Sequence, residues 1–128
     1  MKTQRHLIAL SLAFSIAGCT FIARDAETYR ADTRSVVETR NDTIKECYDA
    51  ALEADEKAAG TVVVNFIVEK KTGTIMNPSV DESSTAPEGL SQCIVKGLEG
   101  LSLEPEDQRE GQASFTWNFE VGEPKSAS

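Results

Sequence analysis

Histidine is almost missing from this chain, and its one copy, His6, stands near the start. Past that point no imidazole exists to act as general acid or base, to activate a serine or cysteine, or to ligate a metal ion. A P-loop, a G-x-G-x-x-G turn, an H-E-x-x-H helix and an S-x-x-K pair are also lacking, so the usual local signatures of phosphate, dinucleotide and peptidase chemistry are absent. Positive charge is scarce: 13 Lys and Arg face 21 Asp and Glu, and without Lys2 and Arg5 the balance is 11 against 21. Such a surface repels phosphate backbones and anionic lipid, so no nucleic-acid partner is expected and membrane attachment must come from something other than charge. No long apolar span compensates, because the run from Leu7 to Ala17 falls short of the about 20 residues that cross a bilayer. With no activated groups, the chain is expected to be no enzyme and to need no cofactor.

The basic start at Lys2 and Arg5, the apolar centre and the small residues that follow read as a bacterial export signal over residues 1–18. Its end, Ile16-Ala17-Gly18-Cys19, resembles the lipobox of bacterial lipoproteins. That resemblance implies cleavage before Cys19, acylation of Cys19 and tethering to the lipid bilayer through it. Each buried CH₂ adds about 0.8 kcal/mol, and several chains on one residue anchor more firmly than a single myristoyl. Thr20 follows, where an aspartate would imply retention at the inner membrane. The resemblance therefore implies an outer-membrane lipoprotein with its domain facing the periplasm or, as the alternative, the cell surface.

Setting Cys19 aside leaves Cys47 and Cys93. An even number in an exported chain favours one disulfide over two buried thiols or a redox or metal pair. In "TIKECYDAALEA", Ile44, Cys47, Tyr48 and Ala51 recur at helical spacing; in "EGLSQCIVKGLEGL", so do Leu90, Cys93, Ile94, Gly97, Leu98 and Leu101. Two cysteines on the apolar stripes of helices can meet where those helices pack together. Metal binding would need further soft ligands that are missing, and no metal site is expected.

Residues 19–41 are polar, with Tyr29, Val36 and Val37 too sparse for a continuous apolar face. They read as a tether holding the domain off the lipid or, less favoured, as a helix extension. The domain is expected over 42–122, with Asn41 or Asp42 capping its first helix and Gly60 ending it. "TVVVNFIVEK" is β-branched on both faces and reads as a central strand. Lys71-Thr72-Gly73 supplies a hairpin turn, and Pro78 predicts a bulge or an edge in the return strand. Pro87 and Glu88 open the second helix. In "ASFTWNFEV", Ala113, Phe115, Trp117, Phe119 and Val121 alternate strictly with polar residues, which makes them a core face in preference to a ligand platform. The acids Asp81 and Glu82, and Glu104, Glu106, Asp107 and Glu110, read as solvated surface lacking the ligand spacing of a calcium loop. Residues 123–128 form a polar tail that nothing obliges to fold.

The order helix, strand, strand, helix, strand makes an α+β domain with two disulfide-linked helices on one face of a three-stranded antiparallel sheet. "IKECYDAAL", "GTVVVNFIVEKKTGTI", "SST" and "LSQCIVKGLEGLSLEP", followed by an aromatic strand, resemble the AgmX/PglI C-terminal domain family, a relative of the TonB C-terminal domain. Leu103-Glu104-Pro105 stands where members often carry an aromatic-Pro pair. The resemblance implies a scaffold or adaptor in an envelope assembly. By analogy with TonB-like domains it also implies capture of a partner peptide along the last strand, at Ser114, Thr116, Asn118 and Glu120, by main-chain pairing. Two other readings stand beside it: a structural or peptidoglycan-contacting lipoprotein without peptide capture, and an inhibitor of a periplasmic hydrolase acting through the loop from Leu103 to Gly111.

Overall fold

The computed structural model describes residues 22–121. The leader assigned to residues 1–18, the lipid attachment at Cys19 and the tail at 123–128 lie outside the described residues. The elements run α1 (Ala26–Glu38), α2 (Asn41–Ala54), β1 (Gly60–Val68), β2 (Ile75–Val80), α3 (Glu88–Gly97) and β3 (Gly111–Phe119). The sheet is antiparallel, in the order β2-β1-β3. This is the expected α+β architecture with one helix added in front.

The core forms where the two periodicities meet. Period two sends Val62, Val64, Phe66 and Val68 of β1 to one face, where each is at most 3% exposed. Helical spacing sends Ile44, Cys47 and Tyr48 of α2, and Leu90 and Ile94 of α3, onto that face. Leu98, Leu101 and Leu103 seal the layer just past α3. Gly97 lets α2 and α3 approach closely, since a Cβ there would lie 3.1 Å from Thr43 Cγ2. The Cys47–Cys93 disulfide joins the two helices at a Cα–Cα distance of 5.7 Å. Closing a loop across 46 residues contributes about 4 kcal/mol in the chain-entropy model.

The hairpin between β1 and β2 turns on Gly73, whose φ of +69° puts it in the left-handed region. A Cβ at Gly73 would also collide with the Leu103 carbonyl oxygen. Further along β2, the register slips by one residue between Asn65 and Ile67 of the partner strand, opposite Asn77 and Pro78. Asn77 takes φ +52° there. Pro78 thus sits at a bulge on an edge strand, which satisfies both alternatives that its missing N–H allowed.

Four expectations need correction. Residues 22–38 are no free tether, because Val37 of α1 is 1% exposed in the core. Neither Asn41 nor Asp42 caps α2; Asn41 is already its first residue and Arg40 precedes it without a side-chain cap. The reason is that α1 ends only two residues upstream, leaving the backbone to turn directly from one helix into the next. Helix α2 stops at Ala54, and Gly60 instead opens β1 at φ +129°, where a Cβ would meet Ala86 N at 2.7 Å. Val121, assigned to the core face by alternation, is 51% exposed because β3 has ended two residues earlier.

Candidate functional site: the outer edge of β3

A three-stranded sheet has two edges, and this one treats them differently. Along β2 the outer edge is occupied at its start: Ile75 N–H donates to Leu101 O at 2.9 Å, Leu103 N–H donates to Gly73 O at 2.7 Å, and Thr74 bridges Ser102. The bulge and Pro78 interrupt the remainder. Where β2 ends, the chain from Asp81 to Ala86 continues to cover β1. Thr61 N–H donates to Thr85 Oγ1 and Val63 N–H to Ser84 Oγ, both at 2.9 Å, and Val63 O accepts from Asp81 N–H at 2.8 Å. The Asp81 carboxylate is engaged locally, and hydrogen bonds from the Ser83 hydroxyl, the Ser83 N–H and Asn65 hold it below its ordinary pKa.

These bonds also reveal which groups of β3 face outward. Thr61 and Val63 turn their backbone groups toward the β2 side, so their β3 partners, Asn118 and Thr116, belong to pairs without mutual hydrogen bonds. The N–H and C=O of Thr116 and Asn118 therefore point away from the sheet. By the same alternation those of Ser114 and Gln112 do too. Among the described residues nothing hydrogen-bonds to these outward backbone groups. The side chains of Gln112, Ser114, Thr116 and Asn118 are exposed, with Asn118 Oδ1 accepting from the Thr61 hydroxyl at 2.9 Å. No proline, lysine or bulge interrupts the nine residues of β3, the devices by which edges are ordinarily blunted.

Of the predicted edge residues, Ser114, Thr116 and Asn118 share this row. Glu120 does not: it lies past the end of β3, and its carbonyl accepts from the Tyr48 hydroxyl at 3.3 Å. The same hydroxyl reaches Ala58 O at 3.0 Å, and the Tyr48 and Phe119 rings lie 4.7 Å apart. This cluster locks the C-terminal end of β3 into the core.

The opposite end of β3 is held by the N-terminal arm. Asp107, 1% exposed, accepts from the N–H of Arg24 at 2.8 Å and of Arg109 at 3.0 Å. The guanidinium groups of Arg24 and Arg109 approach it at 3.5 and 3.6 Å. Burial works to raise the pKa of Asp107, but the two backbone N–H groups and the two arginines outweigh it and hold the carboxyl below its ordinary range. Arg24 also donates to Pro105 O at 2.8 Å and to Asp32 at 2.7 Å, Gln108 N–H donates to Ile22 O, and the Arg109 side chain donates to Arg24 O. Asp25 then caps α1, accepting from Thr28 N–H at 2.7 Å, which keeps its carboxyl ionised below the usual range. From the acidic run read as solvated surface, Asp107 is thus a buried latch. No group of three or more His, Cys, Asp or Glu among the described residues could hold a metal ion.

Latched this way, α1 lies over the inner side of β3 without closing on it. Tyr29 sits against the strand's first residue: its hydroxyl donates to Arg109 O at 3.2 Å, and a Cβ at Gly111 would lie 2.6 Å from its ring. Burial, and then the Asp107 charge, raise the Tyr29 pKa. Beyond Tyr29 the two elements diverge and a cleft of about 480 Å³ opens, lined by Arg30, Thr33 and Arg34 on one side and Arg109 to Phe115 on the other. The Arg34 guanidinium lies 5.6 Å from the Phe115 ring centre, and Phe115 packs on Trp117 at 5.4 Å. Alternation placed Ala113, Phe115 and Trp117 on the inner face correctly, but all three are only partly buried.

The arm and its arginines were missed as site residues. A signal was present: Arg24, Arg30, Arg34 and Arg40 are four of the five arginines that follow the leader. Among the described residues no helix is long and apolar enough to cross a membrane. Comparison of the chain with family models, curated proteins and solved structures finds no match.

Proposed function

We propose that this chain is a non-enzymatic envelope lipoprotein, anchored in the outer membrane through Cys19, whose domain captures an extended partner segment along β3 by β-augmentation. The observation that carries the proposal is the asymmetry of the sheet. The β2 edge is paired and interrupted, whereas nothing described pairs with the outward backbone groups of Ser114, Thr116 and Asn118. An unpaired, uninterrupted edge is a template for another strand, and main-chain hydrogen bonds supply the affinity. The resemblance to AgmX/PglI domains favours the same adaptor role. A structural lipoprotein without peptide capture would have no use for such an edge, and α1, which could have covered it, packs on the inner face.

Replacing Thr116 by proline is the test. The Thr116 N–H points away from β1, so proline there removes no bond of the ladder and fits an edge strand. Thr116→Pro should keep the circular dichroism spectrum and lose about 1 kcal/mol or less of stability, yet abolish the envelope cross-link formed through a photoreactive group at Ser114. Phe119→Ala should instead cost about 3–5 kcal/mol and unfold much of the domain. Undiminished cross-linking by a folded Thr116→Pro protein would remove the edge-capture reading.

A further inference from the structure

We infer that the segment captured at β3 is acidic: an extended peptide carrying carboxylates among apolar residues on its cleft-facing side. The inference rests on the edge-capture reading and adds the chemistry of the partner. A strand paired to the outer edge of β3 sends alternate side chains to the two faces of the sheet. On the inner side they enter the cleft between α1 and β3, whose floor is the half-buried Phe115 and whose wall is α1.

Three arginines, Arg30, Arg34 and Arg109, and one carboxylate, Glu110, line that cleft, in a chain whose net charge is −8. Arg109 is engaged by Asp107 and Arg24. Arg30 and Arg34 are not: no carboxylate among the described residues forms an ion pair with either. They stand four residues apart on α1, on one face. Arg34 is held over the Phe115 ring, so a carboxylate reaching it would pair beside apolar surface, where water screens the pair less. Thr33 between them is 4% exposed, and its hydroxyl has no partner among the described residues. Two guanidinium groups without ion-pair partners in one cleft of an acidic molecule fit a negatively charged occupant and repel a basic one. A second copy of this chain fits less well. The β3 strand itself, Gly111–Phe119, contains no Asp or Glu, so a second β3 paired along this edge would bring no carboxylate to Arg30 and Arg34.

Fluorescence anisotropy with labelled nine-residue peptides of alternating Thr and Val, two Val positions carrying Glu, Gln or Lys, tests this on the full chain. The Glu peptide is expected to bind about tenfold tighter than the Gln peptide, with the Lys peptide weakest. In Arg30→Gln/Arg34→Gln the Glu and Gln peptides should bind alike, and in Thr116→Pro no peptide should bind. Equal binding of Glu and Gln peptides to the unaltered chain, still lost in Thr116→Pro, would overturn the acidic preference and leave edge capture standing. Peptide binding that survives Thr116→Pro would overturn edge capture itself. Absence of all binding, or sedimentation showing a dimer that Thr116→Pro dissociates, would overturn the acidic-peptide assignment.

Discussion

Asp107 holds two stretches of chain that the sequence separates by 83 residues, and it does so as a charge rather than as a packing group. Because its folded-state pKa lies below the ordinary value, of about 3.9, its contribution to stability is complete above that value and is lost as pH falls through the lower folded value. Asp107→Asn keeps the shape and removes the charge, leaving the buried Arg24 guanidinium facing an amide. That variant should unfold in urea with a stability lower by about 3 kcal/mol at pH 7. The gap to the unaltered protein should narrow below about pH 4, because only the unaltered protein has a carboxylate at position 107 to protonate. A constant gap across that range would mean that the latch works through shape alone. None of this was legible from the sequence. A run of Glu104, Glu106, Asp107 and Glu110 does not disclose which acid turns inward, since the partner that makes burial tolerable is remote.

At the level of elements, what could be anticipated was whatever a single segment decides by its own period. The stripes of α2 and α3 and the alternation of β1 were legible because burial on one face is written at intervals of three to four or two residues. Helix α1 was not, because it is held by capping at Asp25, the Arg24 cluster and a few contacts from Tyr29, Val36 and Val37. Alternation likewise told which face Phe115 and Trp117 occupy, but how far a neighbouring helix covers that face depends on a contact between distant segments. The contact of α1 with β3 rests on the missing side chain at Gly111, whose replacement would collide with the Tyr29 ring. Gly111→Ala should therefore loosen α1 at a cost of about 1–3 kcal/mol. Hydrogen exchange should accelerate across residues 26–33 while β1 and α3 keep their protection; unchanged exchange in α1 would show that the ring simply moves aside.

For the whole molecule, the disulfide and the hydrophobic layer bind α2, α3 and the sheet into one unit, to which α1 is joined by Val37, Val36 and Tyr29 and the arm by polar contacts. Replacing both Cys47 and Cys93 by alanine should lower stability by about 4 kcal/mol, read as a shift in the urea midpoint at constant slope. A loss below about 1 kcal/mol would mean that the unfolded chain is already compact enough for the cross-link to matter little. The arm has a consequence of another kind. Among the described residues the first contact is that of Ile22, whose carbonyl accepts from Gln108 N–H, and in the sequence only Thr20 and Phe21 separate it from Cys19. For a chain acylated at Cys19, that leash spans at most about 10 Å even when fully extended, about half the length of the 14-residue helix α2. Such a domain would not sweep a volume of periplasm in search of its partner. It would move as a raft moves, in two dimensions with one end kept near the headgroups, and would meet first whatever extended segments hang from neighbours in the same membrane.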